Sequence, residues 1–141
     1  MLFKEKLKSK NKIFLDGGNG SEIAKLGGDM SPAFSALATL TSPDIVIKVH
    51  ENFINAGCDI ITANTFATNR HNLESLNKGD QVHKFISDSV KLSRKAISNT
   101  GKENIIALPG NGLGPSSTSG ESSNVINVPL CFFKSGKKPF S

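Results

Sequence analysis

The chain contains no tryptophan and no tyrosine, so nine phenylalanines supply all of its aromatic surface. It has only two cysteines, Cys58 and Cys131, which excludes a disulfide framework. No stretch approaches the roughly 18 consecutive apolar residues of a membrane-spanning helix. The N-terminus is basic but lacks the apolar core of a signal peptide, so a cytoplasmic protein is expected. Without a secretion signal, the sequon-like Asn19-Gly20-Ser21 carries no meaning. The basic residues lack interleaved aromatics. Lys4, Lys6, Lys8, Lys10 and Lys12 at the front, and Lys134, Lys137 and Lys138 at the back, read as solvated ends rather than a nucleic-acid surface.

What remains is ordinary globular material. The 141 residues suit one domain, 37% are apolar with 13 glycines besides, and the net charge is +5. The most informative stretch is Lys12-Ile13-Phe14-Leu15-Asp16-Gly17-Gly18-Asn19-Gly20-Ser21-Glu22. Ile13, Phe14 and Leu15 read as a buried strand that ends at Asp16. The glycines that follow permit positive φ and close approach of a ligand to the backbone. A carboxylate beside bare backbone N–H groups suits a small ligand with an amine and a carboxylate, such as an amino acid. A strand-to-helix turn with a capping Asp would use the same residues. A dinucleotide fingerprint fits poorly, because counting from Gly18 the sixth position is Ile23. A P-loop would need Gly-Lys-Ser/Thr after the glycines, and none follows.

Downstream, Ser21–Leu26 suits a short helical turn, and Ser31-Pro32 interrupts any helix. Ser42-Pro43-Asp44 starts a helix, with Ser42 able to cap, Pro43 at the first helical position and Asp44 at the positive end of the dipole. Ile45, Val46, Val49, Phe53 and Ile54 form its apolar face, and Ala56-Gly57 ends it. His50 lies near that stripe and reads as a packed or capping histidine. A second strand over residues 59–66 places Asn64 and Thr65 at its carboxyl end. They suit either capping of the next helix or hydrogen bonds to a polar ligand. Cys58 precedes the strand and reads as a small packing residue. Residues 69–78 look polar and irregular, anchored by Leu73 and Leu76. A second long helix follows, with Val82, Phe85, Ile86, Val90 and Ile97 inward and Thr100-Gly101 as its stop. Residues 104–108 form a third strand. Strand, helix, strand, helix, strand implies a parallel sheet with right-handed crossovers. Residues 116–124 are rich in Ser, Gly and Thr, and the sequence expected to fold runs over 1–115, with 116–141 a flexible or aberrant tail.

Three stretches resemble the homocysteine S-methyltransferase family. Leu15-Asp16-Gly17-Gly18-Asn19-Gly20-Ser21-Glu22 is similar to that family's opening motif. Ser42-Pro43-Asp44-Ile45-Val46, Val49-His50 and Ala56-Gly57-Cys58-Asp59-Ile60-Ile61 are similar to its first long helix and second strand. Thr62-Ala63-Asn64-Thr65-Phe66 resembles its next signature. The likeness covers residues 13–70 and extends to about 115. It implies an incomplete (β/α)8 TIM barrel of α/β class, the first three strands and two main helices of a domain that typically needs about 250 residues. The family, whose members include betaine- and S-methylmethionine-dependent enzymes, transfers a methyl group to the zinc-bound thiol of homocysteine to form methionine. On the positions that match, the resemblance implies that Asp16 holds the substrate ammonium and that Gly17 and Gly18 border its amino-acid end. Asn64 and Thr65 would line the same pocket. The family's zinc ligands are three cysteines, two of them in a Gly-Gly-Cys-Cys motif, and that motif does not occur in this sequence. The expectation is therefore a truncated, methyltransferase-like chain. Its partners would be homocysteine, a methyl donor and a complementary C-terminal half. A non-catalytic α/β module that associates through bare sheet edges is the alternative.

Overall fold

A computed structural model describes residues 12–102, the strand Ile106–Pro109, and Glu5, Lys8 and Ser9 near the N-terminus. The expected tail over 116–141, the domain boundary at 115 and Cys131 lie outside the described residues. Seven named elements follow one another: α1 Asn19–Lys25, α2 Ala38–Thr41, α3 Pro43–Asn55, β1 Ile60–Ala63, α4 Arg70–Glu74, α5 Val82–Thr100 and β2 Ile106–Pro109. A 3-10 turn at Phe34–Ala36 leads into α2.

β1 and β2 are parallel, with Ile60 opposite Ile106 and Ala63 opposite Pro109. The segment before the glycine turn joins on the other side of β1, through a parallel bridge between Leu15 and Ile60. Its ladder is short: Asp59 N–H and Ile60 N–H both donate to Phe14 O, at 2.8 and 3.2 Å, and Asp16 N–H donates to Ile60 O at 3.0 Å. The chain thus has α/β architecture with parallel pairing. The expectation of a buried first strand is corrected, because Phe14 is 61% exposed and Leu15 60%. Phe14 N–H donates to the Asp59 carboxylate rather than to a strand neighbour, at 3.1 Å. Among the described residues no layer covers this apolar run, and periodicity alone cannot tell covered from bare residues.

α3 carries the expected face. Val46, Val49 and Ile54 are buried, Ile45 and Phe53 pack at its margin, and Ile47 joins Ile61, Ala96 and Ile97 in the core between α3, β1 and α5. Pro43 takes the first helical turn as expected, but the Ser42 side chain makes no capping bond. Its carbonyl closes the first turn instead, accepting from Ile45 N–H and Val46 N–H. Residues 69–78, expected as irregular, contain α4. Asn69 caps it by accepting the Asn72 N–H at 2.9 Å, and buried Leu73 docks against Phe85 and the 3-10 segment.

On α5 the inward stripe differs from the one expected. Phe85 and Ile97 are buried, but Ile86 and Val90 are only partly so, while Ser89, Ser93 and Ala96 are fully covered. These small residues face α3 and the end of β1: Ser93 meets His50, Ser89 meets Asn64 O, and Ala96 packs with Ile47 and Ile61. The helix stops at Gly101, whose φ of 62° is the left-handed conformation glycine tolerates best.

Candidate functional site

Asp16 stands where the first extended segment ends, beside the carboxyl-end half of β1. It is half-buried, and its side chain is held from three directions. The backbone N–H of Thr62 donates to Oδ2 at 2.6 Å, the Thr62 hydroxyl donates to Oδ1 at 3.0 Å, and the Asn19 amide donates to Oδ2 at 3.0 Å. Asn19 also donates to Thr62 O at 3.0 Å, so its amide ties the turn to the strand. Hydrogen bonds to an ionised acceptor are stronger than neutral ones, and three of them fix this carboxylate in one orientation. The alternative of a capping Asp does not hold: no side chain caps α1, and Gly18 occupies the capping position.

Gly17 and Gly18 are exposed directly after Asp16. A Cβ on Gly17 would come within 3.3 Å of the Phe53 ring, so α3 limits the space behind the turn. These three residues form one contiguous surface.

Asn64 and Thr65 follow β1 on the same edge, but both are buried. The Asn64 side chain faces inward. Its Oδ1 accepts the Ser35 hydroxyl at 2.7 Å, and its Nδ2 donates to Ser35 O at 2.7 Å and to Thr39 Oγ1 at 3.1 Å. Thr65 turns back on the strand, its N–H donating to Ala63 O at 2.7 Å, while its carbonyl accepts the Thr68 hydroxyl. Neither caps the next helix, a role Asn69 fills. Asp16, Gly17 and Gly18 thus share a surface with Thr62, and Asn64 and Thr65 lie beneath it.

A buried polar chain runs from there into the helix layer. Thr39 Oγ1 and Ser89 Oγ lie 3.1 Å apart, Ser89 Oγ donates to Asn64 O at 3.0 Å, and Ser93 Oγ donates to Ser89 O at 3.1 Å and lies 3.3 Å from His50 Nε2. His50 is 1% exposed. Burial pushes its pKa down to about 4, while the Asp16 carboxylate pulls weakly the other way. The ring is therefore neutral at pH 7. The Ser93 hydroxyl lies within reach of both Ser89 O and the ring Nε2, and the buried Nδ1 has no partner among the described residues. Sequence reasoning placed His50 as a packed residue, and it is one. The hydroxyl partners were missed, because serine inside a helix gives no periodic apolar signal.

Asn19 and Thr62 were also missed as neighbours of Asp16. The signal that would find them is spacing: Asn19 lies three residues after Asp16 on the same turn, and Thr62 sits at the matching height of the next strand.

Zinc, which the resemblance implies, finds no donor set here. Among the described residues no three His, Cys, Asp or Glu side chains come together. Cys58, the thiol among them, packs against the α3–α5 core and donates to Leu15 O at 3.3 Å. Burial, then the charges of Asp16 and Asp59, push its pKa up, the opposite of what a metal-binding thiolate needs.

The model of the family described as homocysteine S-methyltransferase matches residues 13–121. This chain belongs to that family. Among curated relatives, the selenocysteine Se-methyltransferase of Brassica oleracea var. italica is 33% identical over 84 residues, covering 59% of this chain and 22% of the relative. Homocysteine S-methyltransferase 3 of Zea mays is 32% identical over 89 residues, covering 60% and 26%. The chain thus spans about a quarter of the length of these relatives. The metallated form of the homocysteine methyltransferase MmuM from Escherichia coli shares the fold, with a TM-score of 0.66 at 17% identity, over 75% of this chain and 39% of that one. No helix among the described residues is long and apolar enough to cross a membrane.

Proposed function

We propose that this chain holds the amino-acid end of homocysteine, as the N-terminal part of a homocysteine S-methyltransferase built on a (β/α)8 barrel. The observation that carries the reading is the Asp16 carboxylate, half-buried and fixed by Thr62 at the carboxyl end of parallel strands, next to exposed Gly17 and Gly18. Ligands of open parallel sheets and of barrels bind at that end. A fixed carboxylate attracts an ammonium, and glycine lets a ligand come close to the main chain. In this reading Asn64 and Thr65 act from beneath, holding the strand end that presents Thr62.

In this reading the zinc ligands and the methyl donor's place lie on a complementary segment. When bound, zinc keeps a thiol deprotonated at neutral pH. This chain's own part is to seat and orient the amino acid. The test mixes the 141-residue chain with zinc, S-methylmethionine and L-homocysteine. Binding of L-homocysteine that Asp16→Asn abolishes, without methionine above a no-protein control, is the expected result. Methionine made by the chain alone, or binding indifferent to Asp16→Asn, overturns it.

The bare Phe14 and Leu15 favour a second reading, a module that self-associates through its sheet margin. The two readings differ in what they need: a ligand in the first, and only a second copy in the other.

A further inference from the structure

The two oxygens of Asp16 are not equivalent. Oδ2 is occupied by the Thr62 N–H at 2.6 Å and the Asn19 amide at 3.0 Å, while Oδ1 receives the Thr62 hydroxyl at 3.0 Å. Asn19 gives both amide protons, one to Asp16 Oδ2 and one to Thr62 O, and its own buried Oδ1 has no partner among the described residues. Turning that amide over would set its oxygen against two acceptors, so the surroundings impose the orientation. A buried acceptor left unpaired costs stability, and here the cost accompanies a bond to an ionised group.

We propose that Asp16 Oδ1 and Thr62 Oγ1 form the seat for the ligand's primary ammonium, and that Asn19 is the positioning residue that reserves Oδ1 for it. The inference rests on the reading that Asp16 receives an amine, and adds which atoms do so. The Thr62 hydroxyl has given its single proton to Oδ1, so it presents only lone pairs to an incoming group. The seat therefore shows two acceptors and no donor. An ammonium, with three N–H donors and no acceptor, matches it. A carboxylate does not, and neither does a quaternary ammonium, which has no N–H. Asn19 occupies the other carboxylate oxygen and pins the strand backbone behind it, so Oδ1 is held in one direction with the Thr62 hydroxyl as its one partner among the described residues.

Calorimetric titration of the full 141-residue chain tests this with L-homocysteine and with 4-mercaptobutanoate, which keeps the thiol and carboxylate but has no amine. Thr62→Val removes the hydroxyl and keeps the backbone N–H bond to Oδ2. It should weaken L-homocysteine about 10-fold, the scale of one hydrogen bond to a charged group, and leave 4-mercaptobutanoate unchanged. Thr62→Ser should restore the amine preference, and Asn19→Leu should lose it as Thr62→Val does. Circular dichroism checks that each variant is folded, and if Thr62→Val is not, Asn19→Leu carries the test. Should Asp16→Asn abolish binding while Asn19→Leu and any folded Thr62→Val bind as the parent does, the inference is overturned and the reading of Asp16 stands. A parent chain that binds neither ligand, or binds both equally, overturns the reading and this inference with it.

Discussion

Ser35 and Asn64 hold each other by a reciprocal pair of bonds: the Ser35 hydroxyl donates to Asn64 Oδ1 and the Asn64 amide donates back to Ser35 O, both at 2.7 Å. The pair is buried and fastens the segment before α2 to the end of β1. Asn64→Ala strips a partner from Ser35 and Thr39 at once and leaves a hole. A loss of about 3 kcal/mol is expected from urea unfolding, the range for breaking a buried network. Asn64→Asp keeps the shape but cannot donate, so it should cost as much. A loss under about 0.5 kcal/mol, the surface-substitution level, would show that the pair is incidental.

His50 gives the fold a pH dependence of definite sign. Its pKa is about 4 folded, against 6.5 for an exposed histidine. The unfolded chain binds the proton first, so stability is full above pH 6.5 and falls as pH drops from there to about 4. Integrated over that window the loss is about 3 kcal/mol. Urea midpoints at pH 7.5 and pH 4.5 measure it. His50→Gln should flatten the slope across the window, and an unchanged slope would assign it to other groups.

Two caps should behave differently. Asn69 accepts the Asn72 N–H through its side chain, and Asn69→Ala is expected to cost about 1 kcal/mol. Ser42 makes no such bond, so Ser42→Ala should change stability by less than about 0.5 kcal/mol. Thermal melts of the two variants side by side decide it, and equal shifts would contradict the geometry.

Gly28 lies against Ile23, where an added Cβ would collide with Cγ2 and come 3.1 Å from the backbone oxygen. Ile23 is fully buried and β-branched, so it has little room to turn away. Gly28→Ala should destabilise by about 2 kcal/mol, as overpacking does. A melt matching the parent's would mean that α1 shifts freely.

Light scattering separates the two readings of function. Exposed Phe14 and Leu15 predict a mass that rises with concentration, and Phe14→Lys should hold the chain as a monomer. A monomer at every concentration without the substitution removes the self-association reading.

The elements legible in the sequence were those whose signals are local. α3 announced itself by Pro43, Asp44 and a stripe of branched residues, and α5 by its length and Gly101. The glycine turn after Asp16 was legible as a chain break at a strand end, although a strand-to-helix turn uses the same residues. What stayed hidden depends on distance in space. Phe14 and Leu15 look like core because hydropathy does not report whether another layer covers a strand. Ser89 and Ser93 look like surface because a hydroxyl is polar until one sees the carbonyl it meets. Asn64 read as a cap or a ligand contact, and its partner Ser35 lies 29 residues upstream, beyond any sequence window.

The serines of α5 also bear on how the sheet is put in step. Methyl groups slide past one another with little penalty, but a hydroxyl bond is kept only at one setting of the helix. Ser89 meets Asn64 O and Ser93 meets His50, so turning α5 by a single residue would swing both hydroxyls away from their partners. Gly101 then releases the chain only a few residues before β2 begins. The two small alcohols thus favour one setting of α5 over β1, the strand whose Ile60 stands opposite Ile106.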